Sequence, residues 1–216
     1  MEKLAQDARS KWNLGNAPNL DVVELLEEHG IKVMLLDLPE SVSGLTCLVE
    51  RGDAPAVPVI VVNKTFNLKR IRFTLLHELG HRLMKVEEID EVKVARRFAS
   101  AFLMPADHLR AVIGAHRQGF GVAELVATKH VYRVAATALL VRFRDEGIIS
   151  PEQLTSIFQT TARHWRRSEP ELLPRKGAEC PQRFQRLCYR ALAEGLISNS
   201  KATDLLRQPV AASQER

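Results

Sequence analysis

Residues 72–84 read Arg-Phe-Thr-Leu-Leu-His-Glu-Leu-Gly-His-Arg-Leu-Met, with His77 and His81 four residues apart and Glu78 directly after the first histidine. In the longer run 68–84, Ile71, Leu75, Leu79 and Leu83 recur at helical spacing, so the segment is expected to form a helix with one apolar face. Residues i and i+4 then lie on one face about a turn apart, and His77 and His81 can turn ring nitrogens toward a single cation. Imidazole suits zinc because it binds neutral and is oriented through its second nitrogen. Glu78 sits one residue round the helix. From there it can take a proton from a metal-bound water, whose pKa the metal lowers to about 7, and return it to a leaving amine. The chemistry these three residues suggest is amide hydrolysis by a zinc metalloendopeptidase.

Two histidines and a water leave one protein ligand to find. A metzincin carries glycine three residues and histidine six residues after the second histidine. Met84 and Glu87 stand there, so that class is excluded. The alternative is a gluzincin-like carboxylate from the next helix. Glu91 lies four, seven and eleven residues before Ala95, Phe98 and Phe102, on the stripe expected to face the core, and a zinc ion would supply the partner a buried acid needs. Asp90 and Glu91 also open that helix, where acids are favoured by the dipole with no metal present. Glu91 is the first candidate, with Glu88 and Asp90 as alternatives.

Around this motif the chain reads as α+β. Residues 18–30 form an amphipathic helix with Asp21 near its start and Gly30 at its stop, followed by three β-rich runs at 31–38, 43–50 and 58–63. A small, mostly antiparallel sheet packed on the HExxH helix pair is expected, zincin-like in outline, with Pro58-Val-Ile-Val-Val-Asn63 as the edge strand that holds an extended substrate. Helices are expected at 91–104, 106–113, 121–129, 133–146, 151–163, 182–194 and 199–206, so the C-terminal part is mostly helical; no internal repeat is expected. The organisation read from this is a peptidase domain over 1–163, then a linker and small helical appendage over 164–216. Residues 164–182 contain three prolines.

Composition sets the remaining bounds. A chain of 216 residues can bury a core without disulfides or a structural metal. It has no apolar run near the roughly 20 residues that span a bilayer, and its first residues are charged and amphipathic, so a soluble, cytoplasmic protein with no membrane partner is expected. Neither a leader nor a DNA-binding domain is expected ahead of the first helix. Cys47, Cys180 and Cys188 are too scattered for a disulfide framework. Cys47 could cap the zinc as a thiolate, though a buried structural cysteine is the simpler reading. The net charge of +5 gathers in the last third, at 163–167 and 173–176. It permits contact with nucleic acid, but a solvated basic surface is the simpler reading. His108, His116, His130 and His164 lack ligand spacing. Tyr132, Arg133 and Arg142 lie on later helices, from which an oxyanion donor would have to come.

The motif at 72–84, followed by Arg-Arg-Phe-Ala-Ser-Ala-Phe-Leu-Met-Pro at 96–105 and preceded by the 58–63 strand, resembles the ImmA/IrrE metallopeptidases over roughly residues 15–150. These are bacterial and phage-borne zinc peptidases that cut helix-turn-helix repressors. The resemblance implies His77 and His81 as ligands to Zn2+ and Glu78 as catalytic base. It also implies a protein substrate, a helix-turn-helix repressor or antitoxin of a mobile-element or toxin–antitoxin operon. There is one departure: where the family usually carries glutamates four and six residues before the phenylalanine, this chain has Val94 and Val92. A second class therefore stays open, a catalytically weak or inactive regulator that binds a protein or DNA. The tail 183–206 is similar to an extension in many family members; its two helices could form a protein-docking or DNA-contacting unit, and plain dimerisation or packing is at least as simple a reading.

Overall fold

The structure, a computed structural model, describes residues 1–18, 21–84, 91–165, 167–170 and 179–210. Two helices come first, α1 (Glu2–Lys11) and α2 (Val22–Glu28), followed by strands β1 (Lys32–Leu36), β2 (Gly44–Arg51) and β3 (Ala54–Asn63). Then come α3 (Leu68–Leu83), α4 (Glu91–Leu103), α5 (Ala106–Ile113), α6 (Val122–Tyr132), α7 (Ala136–Asp145), α8 (Pro151–Gln159), α9 (Arg183–Ala193) and α10 (Asn199–Leu206). The fold is α+β, with a small sheet and a largely helical C-terminal part. Side chains cap the helices where the chain turns into them: Asp21 accepts from the Glu24 N–H at 2.8 Å, Asn67 from Arg70, and Ser150 closes a capping box with Gln153. Among the described residues no helix is long and apolar enough to cross a membrane.

The sheet order is β1-β3-β2, and this corrects two expectations. First, β2 and β3 pair antiparallel but β1 pairs parallel to β3, so the sheet is mixed. The buried side chain of Asn63, at the end of β3, explains the arrangement: its amide donates to the carbonyls of Leu38, Pro39 and Val42. The β1–β2 connection is thereby tied over the end of β3, where β1 finishes and β2 begins. Second, β3 is the central strand and not an edge. Its continuous apolar run, Val59 to Val62, is buried throughout, as a strand with neighbours on both sides requires.

One face of the sheet packs on α3. Val33, Ile60 and Val62 join Ile71, Leu75, Leu76 and Leu79 in one core that continues through Phe98 and Phe102 of α4. Each large side chain buried there contributes about 1.5–3 kcal/mol. Helices α3 and α4 close tightly at Gly80, where a β-carbon would lie 3.0 Å from the Phe98 ring and 3.4 Å from the Ala95 Cα.

The residues after α8 are fastened to this core by buried charge. Glu179 pairs with Arg72 of α3, lies 3.4 Å from Arg133 and accepts from the Val22 N–H at 2.7 Å. Glu169 pairs with Lys69 and lies 3.6 Å from Lys129. The buried Glu27 carboxylate accepts from the Gln182 and Arg183 N–H groups at the start of α9. Residues 173–176 of the basic region lie outside the described residues.

An internal repeat is present, contrary to expectation. Helices α7 and α8 are joined through Glu146-Gly-Ile-Ile-Ser150, and α9 and α10 through Glu194-Gly-Leu-Ile-Ser198, 48 residues later. Both glycines are left-handed, with φ of 69° and 68°. Both serines cap the second helix.

Candidate active site

Helix α3 sets the two histidines side by side. Their Nε2 atoms lie 3.2 Å apart, with the rings nearly perpendicular. Two nitrogens bound at about 2.0–2.1 Å in a tetrahedral site are about 3.3 Å from each other. The pair is thus spaced as two ligands of one cation. The His77 Nδ1 is buried and has no hydrogen-bond partner among the described residues. Burial, with His81 and Arg96 adding positive charge, pushes the His77 imidazole down to about 4. The ring is therefore held neutral, the form that binds metal.

This shift has a consequence for the metal-stripped protein. Unfolding returns His77 to its ordinary pKa near 6.5, so between that value and about 4 the unfolded chain binds more protons than the folded one. Stability from this group is complete above pH 6.5 and is lost as the pH falls toward 4. After chelation, urea midpoints should drop between pH 7 and pH 5, and the drop should be smaller in His77→Gln. An unchanged slope in that variant would assign the pH dependence to other groups.

Glu78 is buried on the same helix, and burial raises its carboxyl above the ordinary range against the opposing pull of His81. A carboxylate so raised is better matched to accepting and returning a proton near neutrality. Strand β2 runs past it. A β-carbon on Gly44 would come 2.6 Å from Thr74 Cγ2, 2.8 Å from the Val61 carbonyl and 3.6 Å from Glu78 Cγ. Only glycine lets the strand approach α3 this closely. Arg82, one residue after His81, donates to the Cys47 carbonyl at 3.2 Å and ties the strand to the helix. Among the described residues, the free edge beside the histidines is therefore β2. Its signal in the sequence was Gly44 within a strand, which marks a close approach.

Glu91 sits at the start of α4, half exposed, with Oε2 3.8 Å from His81 Nδ1. That is the ring nitrogen opposite the one that faces His77; at this distance the carboxylate neighbours the imidazole without a hydrogen bond, in the position from which an orienting carboxylate acts on a ligating histidine. Among the described residues no group of three His, Cys, Asp or Glu side chains converges to hold a metal. Glu88 and Asp90 lie outside the described residues. Val92 is exposed.

Other expectations change. Cys47 is exposed, not buried. By strand alternation it faces away from the α3 side that Gly44 occupies. Tyr132 is buried against His108, its hydroxyl 2.8 Å from Nδ1. Arg142 is engaged by Glu2, Glu146 and the Met104 carbonyl, and Arg133 by Glu179. Each of the three oxyanion candidates thus has structural work elsewhere.

The profile of Peptidase_M78, the IrrE N-terminal-like domain, matches residues 26–144. The chain belongs to the Peptidase_M78 family. The Peptidase_M78 match spans the whole sheet and most of α7, and contains His77, Glu78, His81 and Glu91. Peptidase_M78 is a metallopeptidase family, which agrees with the paired histidines and buried glutamate. The α9–α10 hairpin lies beyond the matched Peptidase_M78 segment. No curated protein matches the chain.

Proposed function

We propose that this protein is a zinc-dependent endopeptidase that cuts a protein partner, a helix-turn-helix repressor or antitoxin. The observation that carries the reading is the pair of Nε2 atoms 3.2 Å apart, beside the buried Glu78 carboxylate and a free strand edge. His77 and His81 would hold Zn2+ through Nε2, with the Glu91 carboxylate beside His81 Nδ1 supporting that ligand from behind. When bound, the metal supplies a Lewis acid for the scissile carbonyl. Glu78 accepts the proton of the attacking water and delivers it to the leaving nitrogen. The β2 edge holds the substrate extended by main-chain pairing, so the scissile bond lies along α3 at Glu78.

Metal content tests this most directly. The purified protein should carry zinc, and His81→Ala should lose it. In Glu91→Ala, the contact through His81 Nδ1 predicts zinc affinity lower by about 10–100-fold, whereas complete loss would make Glu91 a direct ligand. A wild-type protein that takes up no zinc overturns the peptidase reading. It would favour the second one, a peptidase-fold regulator that binds its partner without cutting it. Val92 and Val94 at the family's glutamate positions are the observation on that side.

A further inference from the structure

The two hairpins share their backbone and differ in what covers them. In each, the same three N–H groups close the turn: Glu146, Gly147 and Ile148 donate to Arg142, Arg144 and Phe143, and Glu194, Gly195 and Leu196 donate to Arg190, Leu192 and Ala191. In the first hairpin the outward apolar positions are packed into the core. Ile148 is 1% and Leu139 0% exposed, while Leu196 and Leu187, their counterparts in the second, are 70% and 44% exposed. Phe184, where the first hairpin has buried Ala136, is exposed as well. Among the described residues nothing covers this face.

The charges follow the same rule. In the first hairpin Arg142 and Glu146 pair at 2.8 Å, and the elements packed over them complete the pair. Glu2 of α1 takes the guanidinium in two hydrogen bonds, and Arg110 of α5 reaches the carboxylate at 2.8 Å. In the second hairpin Arg190 and Glu194 pair at 2.7 Å in the open. What covers this face must therefore bring apolar side chains, an acid for Arg190 and a base for Glu194. The face itself carries that set. A surface with an arginine and a glutamate side by side beside an apolar stripe is self-complementary about a two-fold axis.

We propose that the α9–α10 hairpin is the interface through which a second copy of this chain binds. Leu187, Leu196 and Phe184 pack against their symmetry mates. Arg190 takes the place of Arg110 toward Glu194 of the second copy, and Glu194 the place of Glu2 toward its Arg190. One hairpin per chain offers at most about the 800 Å² per partner of a standard interface, so the dimer is concentration-dependent rather than permanent. The inference is independent of the peptidase reading.

Sedimentation equilibrium on the full chain, from low to high micromolar, tests it. The wild type should shift from monomer to dimer, and Leu187→Asp with Leu196→Asp should stay monomeric with an unchanged circular dichroism spectrum, since both side chains are exposed. Arg190→Glu alone and Glu194→Arg alone each place like charges across the axis and should weaken the dimer by about tenfold or more. Mixed with each other they restore two opposite-charge contacts and should associate as the wild type does. A wild type that remains monomeric overturns the proposal. So does a dimer that survives the double aspartate variant, or a mixture that associates no better than its components.

Discussion

Replacing Glu78 with glutamine should stop cleavage while leaving metal in place. The change keeps side-chain size within a tight site, where even a β-carbon on Gly44 would come within 3.6 Å of Glu78 Cγ, so the fold has no reason to move. It removes the only function glutamine cannot supply, acceptance and return of a proton. General base catalysis is worth about 10²–10⁴-fold, and the loss should fall in that range. The measurement is incubation of wild type and variant with the proposed helix-turn-helix substrate, with products followed by mass spectrometry and zinc by elemental analysis. If the variant cuts as fast as wild type, Glu78 is not the base. Loss of zinc together with activity would give Glu78 a part in holding the metal instead.

The second large effect concerns stability. Glu179→Ala should destabilise the protein by on the order of 3 kcal/mol, because it leaves the fully buried Arg72 guanidinium without its carboxylate. Burial, with nearby Arg133 acting in the same sense and Asp21 in the opposite one, already holds the Arg72 pKa down to about 9. The Val22 N–H at the start of α2 also loses its acceptor. Denaturant midpoints should show the loss. Removing both charges, as Arg72→Met with Glu179→Leu, should recover most of it, since a buried pair replaced by apolar groups of similar volume is close to neutral. A cost below about 1 kcal/mol for Glu179→Ala would mean that solvent reaches Arg72 and that Glu179 does not anchor the C-terminal segment.

The active helix was legible because its information is local. His77 and His81 are one turn apart, the apolar period of α3 is carried by its own residues, and Asn67 and the charged end at His81 and Arg82 frame it. What was misread depends on partners distant in the chain. The 58–63 run does not name the strand that pairs on its far side, so which strand closes the sheet there, and hence that β3 is not an edge, depends on β1 arriving from elsewhere in the chain. The sign available was the unbroken apolar run itself, which marks a strand with two neighbours. Glu179 gave no signal at all, since Arg72 lies 107 residues before it. A strand position alone suggests that Cys47 is buried, but the face it occupies depends on which side of the sheet α3 takes. The stripe through Ala95, Phe98 and Phe102 is buried as expected, and Glu91 at its end stays half exposed because the stripe leaves the core there.

The matched turns at Gly147 and Gly195 form a control experiment built into one molecule. The first is packed into the core through Ile148 and Ile149 while Leu196 of the second stands in water, yet φ differs by a degree and the donors and acceptors correspond one for one. The shape of that corner is therefore written in about six residues and owes nothing to its surroundings. A glutamate-glycine-aliphatic-isoleucine-serine string specifies a bend, and by itself says nothing of whether the bend is inside or outside.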